Sequence, residues 1–364
     1  MADGRETGLT SRRIALTLIA LVCLTGCLTG SAAAASAPAR FWGVNPVTVP
    51  TDAQMQQIAA GGVGNVRVPL NWARVQPGAG AAPDWSSFDA LIESAVRYRV
   101  SVLPVVWGTP PWVAGKEADL PVTNLAAWRQ FLSEVVARYG PNGSFWAEHG
   151  AGSKDPLPSQ PIRLWQIWNE PNFFYFSSPV SPSAYAKLVV VSHAAIGSVD
   201  PGAKVLLAGM FATPGNPPPK AYPAAEFLEG LYARKGIKSS FDGVALHPYA
   251  RDASALGPDI EAVREVMTAN RDSATGLWIT EVGWGSAPSG PFQKGLKGQA
   301  REVTRTLSLL VAQRHRWRIE GVDWWSLTDD PGPGACNFCG STGLFTSGFQ
   351  PKPAWARFTA LAKR

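Results

Sequence analysis

Cysteine is scarce in this chain of 364 residues: there are four, and two of them, Cys23 and Cys27, fall in the N-terminal segment. A fold stapled by several disulfides is therefore excluded. Cys336 and Cys339 remain, as Cys-Asn-Phe-Cys. Four histidines in the whole chain, none beside that loop, leave a zinc site there two ligands short. The pair is expected as a small loop-bracing disulfide, with metal binding or redox catalysis as the weaker readings. Charge is also sparse, at 16% of residues with a net +6. Nothing resembles a Lys/Arg-rich run of the kind that marks a nucleic-acid face, so nucleic acid is discounted as a partner. Nor is there an apolar run of the roughly 20 residues that span a bilayer, so no transmembrane domain is expected.

Residues 1–37 read instead as a targeting leader. Arg12-Arg13 precede the apolar run Ile14 to Leu24, and Gly30 to Ala37 is rich in small-residue cleavage sites. Leu24-Thr25-Gly26-Cys27 resembles a bacterial lipobox, so the leader is either simply cleaved or leaves Cys27 as a lipid anchor. Both readings place the protein outside the cytoplasm, secreted or attached to the outer side of the cell membrane. The leader accounts for part of the positive charge, and the remainder is spread thinly over residues 38–364.

The whole chain is 46% hydrophobic, an ordinary globular balance. Short apolar runs alternate with amphipathic ones. Strands are expected near Phe41–Asn45, Asn65–Pro69, Ser101–Trp107, Ile162–Trp168, Lys204–Met210, Phe241–His247, Leu277–Glu281 and Gly321–Ser326. Helical patterns fall near Asp52–Ala60, Trp85–Tyr98, Asn124–Tyr139, Pro182–Val199, Pro223–Lys235, Asp259–Asn270, Gly298–Arg314 and Pro353–Ala362. Strict alternation of strand and helix over this length is the pattern of an α/β (β/α)8 TIM barrel, with residues 38–364 as a single domain. The Gly- and Pro-rich stretches Gln76–Pro83, Pro141–Pro161, Ala212–Pro219 and Asp330–Gly343 read as loops between elements.

Two of the expected strands end on a carboxylate. Leu164-Trp165-Gln166-Ile167-Trp168-Asn169 runs into Glu170, and Pro171 then denies a ladder its next donor. Leu277-Trp278-Ile279-Thr280 runs into Glu281. In a parallel barrel both would stand at the mouth where the strands end, the rim at which such barrels do chemistry. A pair of carboxyl groups held there suits cleavage of a glycosidic bond, where one gives a proton to the leaving oxygen and the other meets the developing cation from the opposite face. Burial and the second carboxylate should raise the pKa of Glu170. No metal and no organic cofactor is needed. Trp72, Trp107, Trp112, Phe173, Phe174, Tyr175, Trp284, Trp324 and Trp325 lie at or just past strand ends, where flat faces can stack on sugar rings. Trp168 and Trp324 read equally well as core.

Asn169-Glu170-Pro171 closing strand four, with Glu281 closing strand seven, resembles clan A of the retaining glycoside hydrolases. The surrounding Trp-Gln-Ile-Trp-Asn-Glu-Pro-Asn and Ile-Thr-Glu-Val-Gly-Trp most resemble family 39, with family 5 second. The resemblance runs from about Phe41 to Phe358. It implies Glu170 as acid/base and Glu281 as nucleophile, Asn169 as a donor to the sugar 2-hydroxyl and Arg67 as the partner of the nucleophile, where its charge should keep Glu281 ionised. His247 and Tyr249 match the strand-six position that contacts nucleophile or substrate, and Trp325 matches the aromatic floor of the strand-eight end. Trp107 and Trp284 are added as substrate-binding candidates. His247 also reads as a satisfied core histidine. The resemblance does not extend to the β-sandwich that family 39 xylosidases carry, so substrate identity is not expected to be inherited. The expectation is a monomeric retaining glycosidase acting on an extracellular polysaccharide or oligosaccharide, with endo-action suggested by the long third, fourth and eighth loops. The rival readings are an inactive carbohydrate-binding barrel, a transglycosylase using the same pair, and a metal-dependent barrel lyase or isomerase.

Overall fold

Eight strands account for the backbone hydrogen bonding of the centre: β1 Trp42–Asn45, β2 Asn65–Asn71, β3 Ser101–Trp107, β4 Leu164–Ile167, β5 Lys204–Phe211, β6 Gly243–His247, β7 Gly276–Val282 and β8 Ile319–Trp325. All neighbours pair in parallel, and β1 closes on β8 with Trp42 opposite Val322 and Asn45 opposite Trp325. The result is a closed barrel with no free edge. The computed structural model describes residues 37–330, 332 and 338–364. The leader, Cys27 and Cys336, and with them the expected anchor and the Cys336–Cys339 bridge, lie outside the described residues.

Each strand is followed by a helix: α1 Asp52–Ala60, α2 Ser86–Arg97, α3 Leu125–Tyr139, α4 Pro182–Val199, α5 Ala224–Tyr232, α6 Leu256–Ala269, α7 Gly295–Trp317 and α8 Pro353–Ala362. Local chemistry sets where they begin. Thr51 Oγ1 accepts from Gln54 N while Gln54 Oε1 accepts from Thr51 N, a capping box at the head of α1. Ser181 caps α4, which opens on Pro182, a position that needs no N–H. Helix α6 starts at Leu256 rather than Asp259, because Pro258 falls in the first turn, where its missing donor breaks no intrahelical bond, and Leu256 is fully buried. The expected loop from Pro141 to Pro161 contains a short helix, Ser144–Glu148, that buries Phe145 and Trp146. Trp72–Val75 forms another such turn after β2.

The main apolar core lies between barrel and helices, and a small second cluster of Leu103, Leu206 and Ala245, with Leu164 and Trp278 packed on it, lies among the strands. A tryptophan fits inside so narrow a barrel because its neighbours lack side chains: a Cβ at Gly243 or Gly321 would collide with the Trp278 ring. The inward positions otherwise carry polar groups, with Asn45 on β1, Asn65 and Arg67 on β2, Gln166 on β4, His247 on β6 and Asp323 on β8 all joined by hydrogen bonds between strands. Alternation along a strand thus divides the chain into an apolar outer face and an interior shared by this small apolar cluster and the hydrogen-bonded network. Above the rim, the buried Lys352 ammonium donates to Asp329 Oδ1 at 2.7 Å, Ser286 Oγ at 2.9 Å and Ser341 O at 3.0 Å, tying the loops after β7 and β8 together.

Asp323 is 2% exposed, and its one polar side-chain partner is Asn65, whose Nδ2 donates to Oδ1 at 2.8 Å. Burial raises its pKa to about 7, against the lowering effects of Asn65 and Arg67. An unfolded aspartate titrates near 3.9, so between about pH 4 and 7 the folded protein holds a proton that the unfolded chain has released. The stability gained from the neutral acid is therefore complete below about pH 4 and is lost as pH rises through 7. Asp323→Asn keeps the acceptor for Asn65 and does not titrate. Its melting temperature relative to wild type, followed by calorimetry from pH 4 to 8, should rise with pH; a constant difference would show that Asp323 is not a buried neutral acid.

Candidate active site

Glu170 reaches the mouth through an unusual piece of backbone. β4 ends at Ile167, and the next residues include two in the left-handed region, Trp168 at φ 72° and Glu170 at φ 38°. A bulky side chain pays roughly 1–2 kcal/mol for that conformation, so the surroundings must hold it. They do so at both residues. Trp168 N donates to Val106 O at 2.9 Å and Glu170 N to Gly209 O at 3.0 Å, while the buried Trp168 ring packs edge-on against Trp107 and Trp128. Trp168 thus belongs to the core, and its packing turns the chain so that Glu170 faces the mouth.

The two glutamates meet there as the strand ends implied. One oxygen of Glu170, one of Glu281 and a ring nitrogen of His247 lie within 4.8 Å of one another, all buried. Arg67, 4% exposed, is the hub: Nη1 donates to Glu281 Oε1 at 2.8 Å and to Asn45 Oδ1 at 2.8 Å, Nη2 to Asn169 Oδ1 at 2.7 Å, and Nε to Gln166 Oε1 at 2.7 Å. The other oxygen of Glu281 accepts from the Tyr249 hydroxyl at 2.7 Å. Glu170 Oε1 stands 2.8 Å from His247 Nδ1, and His247 Nε2 is 3.0 Å from Thr280 Oγ1. Because Arg67 takes the carbonyl oxygen of Asn169, the amide N–H groups of that residue are the ones left to donate to a ligand.

These contacts divide two like groups. Burial pushes the Glu170 carboxyl well above the usual carboxylate range, and the neighbouring Glu281 charge adds to the rise against a smaller pull from Arg67. Burial also raises Glu281, but there Arg67 and the Tyr249 hydroxyl draw it back down. Glu281 is therefore the first of the pair to ionise. The expectation that Arg67 simply holds Glu281 ionised is corrected to this extent: desolvation outweighs it, and the difference between the two groups is what survives. His247 is held neutral by burial, helped by the Arg67 charge. The direction of its bond to Glu170 follows from the tautomer of the neutral ring: an Nδ1–H donates to the Glu170 carboxylate, and a bare Nδ1 accepts from the Glu170 O–H while Nε2–H donates to Thr280. Gly209 on β5 leaves the room for this ring, since a Cβ there would collide with His247 and the Thr280 hydroxyl.

Of the aromatic candidates, Trp107 and Trp325 are half-buried at the ends of β3 and β8, and the Trp325 indole nitrogen is buried with no hydrogen-bond partner among the described residues. Trp284 is a correction. It is fully buried, packs on Trp324 and donates its Nε1–H to Ala250 O at 2.9 Å, so neither face is open to a sugar. Position past a strand end did not reveal that its side chain points into the helix layer. Trp72 and Trp324 are core for the same reason. Gln166, Asn45 and Thr280 were not singled out from the sequence, although a glutamine inside Leu-Trp-Gln-Ile was the available signal. Glu117, an exposed residue of the loop after β3, accepts a bond from Asn71. A divalent cation does not suit Glu170, His247 and Glu281: both ring nitrogens are engaged, and the ion would stand against the Arg67 guanidinium.

Comparison with solved structures places the barrel. A family 39 β-xylosidase from Caulobacter crescentus superposes with a TM-score of 0.67 at 20% identity, over 91% of this chain and 73% of its own. A GH5_18 enzyme from Streptomyces cattleya, in complex with Manb1-4GlcNAc, gives 0.62 at 18% over 90% and 81%. Xylanase 10B from Thermotoga petrophila, in complex with xylobiose, gives 0.59 at 15% over 88% and 93%. The chain shares its fold with these glycoside hydrolases. No protein-family model matches the sequence, and no curated protein does.

The electrostatic division has a direct test. In Glu281→Gln the charge that raises Glu170 is gone while its burial stays, so Glu170 should titrate lower than in wild type yet still above an exposed glutamate. Carbon-13 NMR of labelled glutamate carboxyls reads this, and an unchanged Glu170 midpoint would show that the two groups do not interact.

Proposed function

We propose that this protein is a retaining glycoside hydrolase. The observation that carries the reading is the close pair of buried carboxyls, within 4.8 Å at one oxygen of each, in environments that order their ionisation. Such spacing sits with the closer class of glycosidase site, about 5–5.5 Å, in which the second carboxylate attacks directly, rather than with the wider gap that admits a water. Glu281 as carboxylate forms a bond to the anomeric carbon while Glu170 gives its proton to the leaving oxygen. Glu170, now ionised, then takes a proton from water as that water's oxygen displaces Glu281. Neutral His247 holds Glu170 in place through the bond at Nδ1. Asn169 offers N–H donors to the sugar, and Trp107 and Trp325 offer ring faces beside it, with the buried Trp325 N–H as a further donor.

The substrate we propose is a β-linked polysaccharide or oligosaccharide outside the cell, cleaved internally by a monomeric, exported protein. The leader supports export, and the long loops at the mouth support endo-action. The likeness to barrels named as a β-xylosidase and a xylanase, and to one solved in complex with Manb1-4GlcNAc, makes β-xylosides and β-mannosides the first substrates to try.

NMR of the first product should show the anomeric configuration of the substrate retained. Glu281→Gln should lose turnover by a factor of about 10⁴ or more and lose labelling by a 2-fluoro glycoside. Glu170→Ala should keep slow cleavage of substrates with good leaving groups and be rescued by azide. Labelling at a residue other than Glu281, or an inverted product, would overturn the assignment. Full activity lost on adding EDTA would instead favour the metal-dependent reading.

A further inference from the structure

The loop after β4 carries Phe173, Phe174 and Tyr175 directly beyond Glu170. Tyr175 is 65% exposed and is the only exposed tryptophan, tyrosine or phenylalanine among the described residues. A loose loop does not explain this exposure. The buried Asn172 donates from Nδ2 to Phe211 O at 2.7 Å and to Tyr222 O at 2.8 Å, and its Oδ1 accepts from Phe211 N at 3.1 Å, which fixes the loop to the end of β5. Phe173 N donates to Glu170 O at 3.0 Å and Phe174 N to Lys220 O at 3.0 Å. The Phe173 ring packs edge-on against Phe211 at 5.6 Å. Tyr175 then stacks on Phe174, centroids 4.3 Å apart with planes 28° from parallel, and Lys220 Nζ lies 5.9 Å from the Phe174 ring. A large apolar ring has been built onto a pinned backbone and backed by a second ring, with its outer face left to solvent.

Its place in the barrel says what that face would meet. The loop belongs to the β4–β5 side of the mouth, the side from which Glu170 acts. On the reading of Glu170 as the acid, which this inference rests on, the leaving group departs toward that side. We propose that Tyr175, backed by Phe174, is the platform of a leaving-group subsite that stacks a pyranose ring. The bond cleaved then lies between two sugar units rather than between a sugar and a small aglycone, and the leaving portion contributes binding of its own. Stacking suits this task because the C–H face of a pyranose matches a flat ring without requiring particular hydroxyls, so the subsite would tolerate several β-linked chains.

Wild type, Tyr175→Ala, Tyr175→Phe and, as a remote control on α4, Val190→Ala are compared on xylo- and manno-oligosaccharides and on aryl glycosides of the same sugars. Loss of the ring should lower kcat/KM on oligosaccharides about tenfold, through KM, and lower the ratio of oligosaccharide to aryl-glycoside efficiency by the same factor. Tyr175→Phe should restore the ratio and Val190→Ala should leave it at the wild-type value. An unchanged ratio in Tyr175→Ala overturns the platform. So does a wild-type dimer, seen by analytical ultracentrifugation, that Tyr175→Ala dissolves, because the face would then be covered by a second copy. Calorimetric titration of the same oligosaccharides into Glu170→Gln, with and without Tyr175→Ala, separates the two readings. If wild type cleaves nothing yet the ring still governs binding, the catalytic reading fails and the platform stands; equal affinity with and without the ring removes the platform alone.

Discussion

One buried guanidinium organises the mouth of this barrel. Arg67 connects β1 through Asn45, β4 through Gln166 and Asn169, and β7 through Glu281, so a single residue on β2 fixes side chains from three other strands. The arrangement is costly if broken, since removing one partner of a buried ion pair leaves an uncompensated charge worth several kcal/mol. That same cost makes the geometry precise: the acceptors around Arg67 cannot drift without leaving part of its charge unsatisfied. A planar fork with five donors does this in a way a lysine ammonium would not, because four acceptors are met in fixed directions.

The network also explains how one environment can produce two different carboxyls. Glu170 and Glu281 are equally hidden from water, and burial alone would raise both alike. What separates them is that Arg67 and Tyr249 spend their donors on Glu281, while Glu170 faces a neutral histidine that can serve as donor or acceptor. Burial keeps His247 neutral, and the Arg67 charge adds to this by opposing a second cation beside it. That Glu281 ionises before Glu170 thus follows in part from where a third residue places its hydrogen bonds.

Much of this could be read from the chain. The eight alternations fixed the architecture because each apolar run is bounded by turn residues and followed by an amphipathic stretch, and Ser101–Trp107 and Pro182–Val199 were legible to the residue. Glu170 and Glu281 were legible because a carboxylate is conspicuous at the end of an apolar strand. Lone polar residues within strands were harder. Gln166, Asn45 and Thr280 face inward by alternation, but one amide or hydroxyl in a strand reads as well as a solvated position until the closed barrel shows there is no solvent on that side. Trp284 failed for the complementary reason. Its sequence position marks the rim, whereas its burial depends on Trp324 and on the backbone of Ala250, both distant in the chain.

The left-handed backbone at Trp168 and Glu170 lies beyond sequence reading for a further reason, and it bears on how the site is held. No propensity favours a tryptophan or a glutamate there, so the conformation has to be imposed by tertiary contacts. Those contacts come from β3 through Val106, from β5 through Gly209 and from the rings of Trp107 and Trp128. Gly209 serves twice, giving its carbonyl to Glu170 N and its empty side to His247. The backbone that aims the acid and the ring that answers its proton therefore depend on the same residue of β5. Displacement of that strand would disturb the direction of Glu170 and the partner of its proton together, so the two functions are secured by one piece of packing rather than by separate ones.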